Sequence, residues 1–118
     1  REGLDEISIS GQTLVGELKD GRVTEYEVHP EHFNLPVHDP KTLQVGNVEE
    51  SKTMLLGALD NKLGAARDIV ALNAGASIYV CGAADTLADG VDQAFEAIAC
   101  GAARAKVEQF VNATKRFA

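Results

Sequence analysis

Residues 13–28, with the sequence TLVGELKDGRVTEYEV, contain two partly alternating segments on either side of an Asp-Gly pair. Asp20 and Gly21 can both adopt the positive φ of a type I′ turn, so this stretch predicts a β-hairpin. The second arm alternates imperfectly, because Val23, Tyr26 and Val28 are not evenly spaced, and this favours a bulge or a short strand. An isolated two-stranded ribbon is marginal in water, so other elements must cover one of its faces.

The segment that precedes the hairpin predicts a further strand. Ile7 and Ile9 alternate with Ser8 and Ser10, as expected for a strand with one buried face. We therefore expect strands and a hairpin within residues 7–28.

Residues 29–46 predict a connector, because they hold every proline and every histidine of the chain and show no helical or strand period. His29, His32 and His38 are candidate ligands for a transition metal. Proline-rich connectors usually display such residues to solvent, so we favour a solvated loop.

Residues 47–117 predict about four helices. Asn47 is suited to cap the first helix, with Glu50 reaching back in a capping box. Thr86, followed by Asp89, predicts a second cap of the same kind.

Two later segments differ in how clearly they predict structure. Residues 67–81 are compatible with one buried helix or with two buried strands, because periodicity does not separate these for a segment that is apolar nearly all round. The alanines and the lack of a strong turn pair favour the helix. Gly101 separates the last helix, expected at residues 102–117, from the one before it.

Charge and hydropathy exclude several classes of partner. The formal net charge is −7, which opposes binding to nucleic-acid phosphates. The longest weakly polar run, residues 69–84, falls short of the roughly 20 apolar residues that a bilayer requires. The chain has no stripe of lysine and arginine beyond four residues near its C-terminal end, so nucleic acid is not an expected partner. These four are Arg104, Lys106, Lys115 and Arg116.

The cysteines, Cys81 and Cys100, each stand beside a glycine and share no C-x-x-C spacing. Two cysteines in an acidic chain without a signal peptide predict reduced thiols in the cytoplasm, packed as small apolar side chains.

Asp5 and Glu6 form an acidic pair behind Gly3, directly before the first alternating segment. Magnesium dehydrates reluctantly, and proteins usually hold it with one or two carboxylates while waters and substrate phosphates complete the octahedron. The pair is therefore a candidate Mg²⁺ site. A solvated acidic turn is the alternative interpretation.

Five stretches together resemble the anthranilate phosphoribosyltransferase family, and they extend over essentially the whole chain. They are Gly3-Leu4-Asp5-Glu6-Ile7-Ser8, Leu18-Lys19-Asp20-Gly21 in the hairpin, Pro30-Glu31-His32-Phe33-Asn34-Leu35-Pro36, Leu72-Asn73-Ala74 with Tyr79-Val80, and the segment from Cys100 to Ala103.

The resemblance implies a particular architecture. Residues 1–118 would be the C-terminal portion, about a third, of an enzyme whose large α/β domain is a phosphoribosyltransferase domain of the nucleoside-phosphorylase type. Within it this chain is expected to be an α+β fragment, with strands and hairpin at 7–28, a connector at 29–46 and helices at 47–117. We expect the fragment to be inactive without the N-terminal remainder of the enzyme.

The resemblance also implies a function. The family transfers phosphoribosyl from phosphoribosyl pyrophosphate to anthranilate in tryptophan biosynthesis, as a cytoplasmic homodimer. It implies that Asp5 and Glu6 are ligands of an Mg²⁺ cofactor, while the anthranilate-contacting residues lie outside this chain. No residue here is assigned a catalytic role.

Two other functions are kept open. One is a pyrimidine-nucleoside-phosphorylase-like enzyme, which shares the fold and acts at a ribosyl C1 with phosphate. The other is a non-catalytic acidic interaction module, in which Asp5 and Glu6 are only solvated. The Gly-Leu-Asp-Glu-Ile-Ser string favours the anthranilate family.

Overall fold

The computed structural model describes residues 4–117 and shows a β-hairpin, a connector and then four helices. This order confirms the predicted α+β fold class. The elements are β1 (Thr13–Lys19), β2 (Arg22–Val28), α1 (Val48–Leu59), α2 (Ala65–Val80), α3 (Leu87–Ala99) and α4 (Ala102–Lys115).

The hairpin forms at the predicted turn. Asp20 and Gly21 have φ values of 53° and 75°, in the left-handed region that a type I′ turn needs. The predicted bulge or short arm is wrong, because both strands have seven residues and pair one to one. The imperfect alternation arises because Val23 pairs with Leu18 on the outer, exposed face of the hairpin.

Residues 7–10 do not form a strand, contrary to the prediction. The sheet in the described part of the chain has two strands only, so this segment has no neighbouring strand with which to form a ladder. The segment instead enters the core, where Ile9 is fully buried and Ser8 is buried beside it. The backbone N–H of His38 donates to the Ile9 carbonyl at 3.1 Å, which ties the segment to the connector.

The connector between β2 and α1 contains two short 3₁₀ turns, Pro30–Phe33 and Pro40–Leu43. It is anchored to α2 through His38, whose Nε2 lies 2.8 Å from a carboxylate oxygen of Asp68. Asp68 is 3% exposed, and Arg67 also donates to it, so this buried carboxylate has the partners that burial requires.

The helix starts follow the predicted capping residues. Asn47 Oδ1 accepts from the Glu50 N–H at 2.8 Å, and Thr86 Oγ1 accepts from the Asp89 N–H at 3.1 Å. The Glu50 carboxylate reaches the N–H of Gly46, one residue before the one that a capping box would use.

Helix α2 is the centre of the fold and resolves the ambiguity at residues 67–81 in favour of one helix. It packs most extensively on α3, at a point where both helices carry a glycine. A Cβ at Gly90 would lie 2.3 Å from the Gly75 carbonyl oxygen, and a Cβ at Gly75 would lie 2.5 Å from the Val91 Cα. The two backbones therefore touch, which larger residues would prevent.

The core lies between α2, α3 and the segment before the hairpin, whereas α4 is peripheral. Leu72 and Ile9 are fully buried, and Val91 is almost so. No residue of helix α4 is fully buried, and Phe110 on it is 67% exposed. None of the helices within residues 4–117 has the length and apolarity needed to cross a membrane.

Candidate functional site

Asp5 and Glu6 lie in a bend immediately before Ile7, and both side chains are exposed. Together with the first residues of β1 they line a cleft of about 450 Å³. Neither carboxylate makes a hydrogen bond or an ion pair with any other residue in the 4–117 range. Gly3, which precedes them in the motif, lies outside the described residues.

The segment that follows the acidic pair is fixed by side chains instead of by a sheet. Asn73 of α2 accepts from the Ile7 N–H through Oδ1 at 2.9 Å and donates to the Ile7 carbonyl through Nδ2 at 2.9 Å. Thr13 Oγ1 accepts from the Ser8 N–H at 3.0 Å, and Ser8 Oγ accepts from the Ser10 N–H at 3.0 Å. Asn73, a polar residue in a largely apolar helix, is thus fully engaged with backbone groups.

The donor set of the acidic pair suits Mg²⁺. Carboxylate oxygens are hard ligands, and one or two of them are what a protein usually contributes to this ion. No group of three or more histidine, cysteine, aspartate or glutamate side chains comes together as a metal site within residues 4–117. The pair therefore fits a shared site, in which phosphate, water or another part of a protein completes the coordination shell.

The three histidines have structural partners. His29 Nδ1 accepts from the Glu31 N–H, and His32 Nδ1 accepts from the His29 N–H, so both rings stabilise the first 3₁₀ turn. His38 pairs with Asp68, as described above. The predicted display to solvent holds for His32, which is exposed, but it is wrong for His29 and His38, which are partly buried because they pack and bond within the connector and on α2.

The predicted burial of the two cysteines is wrong. Cys81 and Cys100 are free thiols, and both are exposed in this chain. They occupy the C-cap positions of α2 and α3, where the thiols donate to the carbonyls of Ile78 and Ala97 at 3.2 and 3.7 Å. A helix C-cap is a chain-reversal position at the edge of the packed region, so its side chain leaves the core.

The structure contains a carboxylate bridge between the hairpin and α2 that the sequence does not predict. Glu17 of β1 accepts from the Tyr79 hydroxyl at 2.6 Å and from the Tyr26 hydroxyl at 2.8 Å. These two donors lower the pKa of Glu17, the Tyr79 bond contributing most. Glu17 and Tyr26 alternate on the inner hairpin face, but the 62 residues that separate Glu17 from Tyr79 leave no local signal for the third member.

Comparison with known proteins extends over nearly the whole chain. The chain is 56% identical to the anthranilate phosphoribosyltransferase of Burkholderia ambifaria over 99% of its own length, and 54% identical to that of Dechloromonas aromatica over 100%. It spans about a third of the length of these curated relatives, 34% and 35% respectively.

A solved structure gives the same result. The crystal structure of anthranilate phosphoribosyltransferase from Thermus thermophilus superimposes with a TM-score of 0.84 at 33% identity, covering 95% of this chain and 33% of that one. These likenesses confirm the resemblance identified from the sequence. A family model described as glycosyl transferase family, a/b domain, matches residues 1–104, and the chain therefore belongs to that glycosyl transferase family.

Proposed function

We propose that this chain is part of an enzyme that transfers phosphoribosyl from phosphoribosyl pyrophosphate to anthranilate in tryptophan biosynthesis. The observation that carries the proposal is the identity of 54–56% to relatives named anthranilate phosphoribosyltransferase, over essentially the whole chain. The matched length of 117 to 118 residues covers positions 5 and 6.

The role of this chain in that enzyme is to bind Mg²⁺ through Asp5 and Glu6. When bound, Mg²⁺ acts as a Lewis acid and template for the pyrophosphate that leaves the sugar C1. The two carboxylates are available for this because they are exposed, unpaired within the described residues, and lie at the edge of a cleft. Residues at the start of β1 also line that cleft.

The other functions of the proposed enzyme depend on residues outside this chain. Since the chain spans about a third of its relatives, the N-terminal remainder supplies the contacts to anthranilate and most of those to phosphoribosyl pyrophosphate. The fragment alone is accordingly inactive. Assembly of the complete enzyme as a homodimer, and its location in the cytoplasm, rest on the family resemblance alone.

The direct test is a pair of assays on the full-length protein that contains this chain. With phosphoribosyl pyrophosphate and Mg²⁺, we expect loss of anthranilate fluorescence, and we expect a metal chelator to stop the reaction. The matched assay offers a pyrimidine nucleoside with inorganic phosphate. Phosphorolysis of the nucleoside without turnover of anthranilate would assign the protein to the alternative enzyme, and inactivity in both assays would favour the non-catalytic acidic module.

A further inference from the structure

The amide of Asn73 makes a two-way contact with a single residue of the acid-bearing segment. Its Oδ1 accepts from the Ile7 N–H and its Nδ2 donates to the Ile7 carbonyl, both at 2.9 Å. The same Nδ2 donates to the Ile69 carbonyl one turn earlier in α2, at 3.0 Å. All three bonds are satisfied by one orientation of the amide, and the contact joins positions 66 residues apart.

This contact replaces the strand ladder that residues 7–10 lack. In a sheet, a neighbouring strand would both donate to and accept from such a residue, and here one side chain does both. The Ile7 N–H belongs to the peptide group whose carbonyl is that of Glu6. Fixing this peptide therefore fixes the backbone from which the Glu6 side chain departs.

We propose that Asn73 is a positioning residue for the metal-binding pair, an inference that rests on the proposed function of Asp5 and Glu6. The two carboxylates make no hydrogen bond of their own within residues 4–117. Ile7 directly follows Glu6, so its two bonds to Asn73 hold the backbone next to the pair. Groups that orient metal ligands without touching the metal commonly affect metal affinity or activity by about 10- to 100-fold. Asn73 acts in this way through the backbone, from the helix at the centre of the fold.

The test is Asn73→Ala in the full-length enzyme, with two readouts. The first is the Mg²⁺ concentration that gives half-maximal turnover, which we expect to rise about 10-fold while the rate at saturating Mg²⁺ is largely retained. The second needs no metal: hydrogen exchange in the peptide covering residues 4–10 should become faster in the metal-free variant, because the Ile7 N–H loses its acceptor.

Three further variants separate positioning from loss of structure. Ser77→Ala removes a side-chain bond to the Asn73 carbonyl one turn along α2, and Tyr79→Phe removes the hydroxyl that bonds Glu17 of the hairpin. Both should leave the Mg²⁺ dependence unchanged. Asn73→Gln keeps the donor and the acceptor at a longer reach, so its Mg²⁺ dependence should lie between wild type and Asn73→Ala, and it also serves if the alanine variant folds poorly.

The outcomes distinguish this inference from the proposed function. In the background Asp5→Asn with Glu6→Gln, a further Asn73→Ala change should not shift the Mg²⁺ dependence again, because the pair it positions is gone. If the acidic double variant alters the Mg²⁺ dependence but Asn73→Ala lowers turnover equally at every Mg²⁺ concentration, the positioning role is wrong and the metal role stands. If the double variant itself leaves the Mg²⁺ dependence unchanged, the metal role fails, and the exchange measurement reports separately whether Asn73 holds the segment.

Discussion

The carboxylate of Glu17 accepts hydrogen bonds from two tyrosine hydroxyls, one in β2 and one in α2. The contribution of Glu17 to stability therefore depends on pH. The bond from Tyr79, then that from Tyr26, lowers the pKa of Glu17 below its ordinary value of 4.5. Burial, followed by the bond to Glu17, raises the pKa of Tyr26 to about 12. In the native state, therefore, a charged Glu17 and a neutral Tyr26 are favoured together.

The sign of the effect on stability follows from the direction of the shift. Because the folded-state pKa of Glu17 is lowered, its contribution is present above the unfolded-state pKa and is lost as the pH falls through the folded-state value. Glu17→Gln keeps one acceptor but removes the charge that strengthens both bonds. We expect wild type to melt at a higher temperature than Glu17→Gln near neutral pH, and the difference to shrink below about pH 5. If the difference in melting temperature between the two proteins stays constant across this pH range, the charge of Glu17 does not contribute to stability.

At the residue scale, the sequence nominates Asp5 and Glu6 as candidate ligands, but it does not reveal the side chains that hold their segment in place. The position of Asp5 and Glu6 before the hairpin could be predicted because it depends on residue type and on neighbours in sequence. Two contacts could not be predicted: the bonds from Asn73 to Ile7 and the bond from Tyr79 to Glu17. Both depend on how α2 packs against distant segments, and no local sequence pattern reports that.

The crossing of α2 and α3 sets how closely two elements can approach. Gly90 faces the Gly75 carbonyl at a distance that leaves no room for a methyl group, and the obstacle is backbone instead of a flexible side chain. We expect Gly90→Ala to destabilise the protein by about 1–3 kcal/mol or more, since the helices must separate to admit the methyl group. Urea unfolding of the full-length enzyme would measure this.

The matched control is Gly57→Ala in α1. A Cβ there would meet only the Lys62 side chain, at 3.5 Å, which is ordinary contact. Alanine is the better helix former, so this change should be neutral or stabilising by about 0.5–1 kcal/mol. Equal effects of the two substitutions would mean that helix propensity decides the outcome and that the close crossing does not.

At the element scale, local chemistry predicted most boundaries and tertiary context decided the exceptions. The Asp20-Gly21 turn and the caps at Asn47 and Thr86 depend on a few adjacent residues, and all three occur where the sequence placed them. Residues 7–10 have the alternation of a strand but no strand beside them, and periodicity cannot report whether a partner exists. The same limit applied to residues 67–81, where packing on α3 selects the helix.

At the scale of the whole molecule, apolar surface remains on several faces of this chain. The outer face of the hairpin exposes Leu14, Leu18 and Val23, at 65%, 72% and 69%. Monomeric proteins rarely leave such clusters uncovered. The exposure fits a chain that spans about a third of its relatives and leaves these surfaces to be covered by the remainder.

Residues 1–118 expressed alone should therefore unfold with weak cooperativity or self-associate. Light scattering and urea unfolding would test this, and replacing Leu14, Leu18 and Val23 together by threonine, which keeps β propensity, should reduce association. A sharp two-state transition of a monomer would contradict the expectation. If the triple variant associates as strongly as the unmodified fragment, the hairpin face is not the surface through which the fragment associates.

In the proposed enzyme, Asp5 and Glu6 hold Mg²⁺ for the leaving pyrophosphate. Asp5→Asn with Glu6→Gln in the full-length enzyme should cost about 3 kcal/mol of transition-state stabilisation, as for loss of other preorganised charge-stabilising groups. Stability should hardly change, because both side chains are exposed and unpaired within the described residues. A matched control, Asp92→Asn with Glu96→Gln, removes the same charge from the exposed face of α3.

The measurement is turnover as a function of Mg²⁺ concentration for wild type, the acidic double variant and the α3 control, with a thermal melt of each. We predict that only the Asp5→Asn, Glu6→Gln variant shifts to higher Mg²⁺, that added Mg²⁺ partly restores its rate, and that all three proteins melt together. Superimposable Mg²⁺ curves for the three proteins would contradict the metal role and leave the acidic pair as a solvated turn.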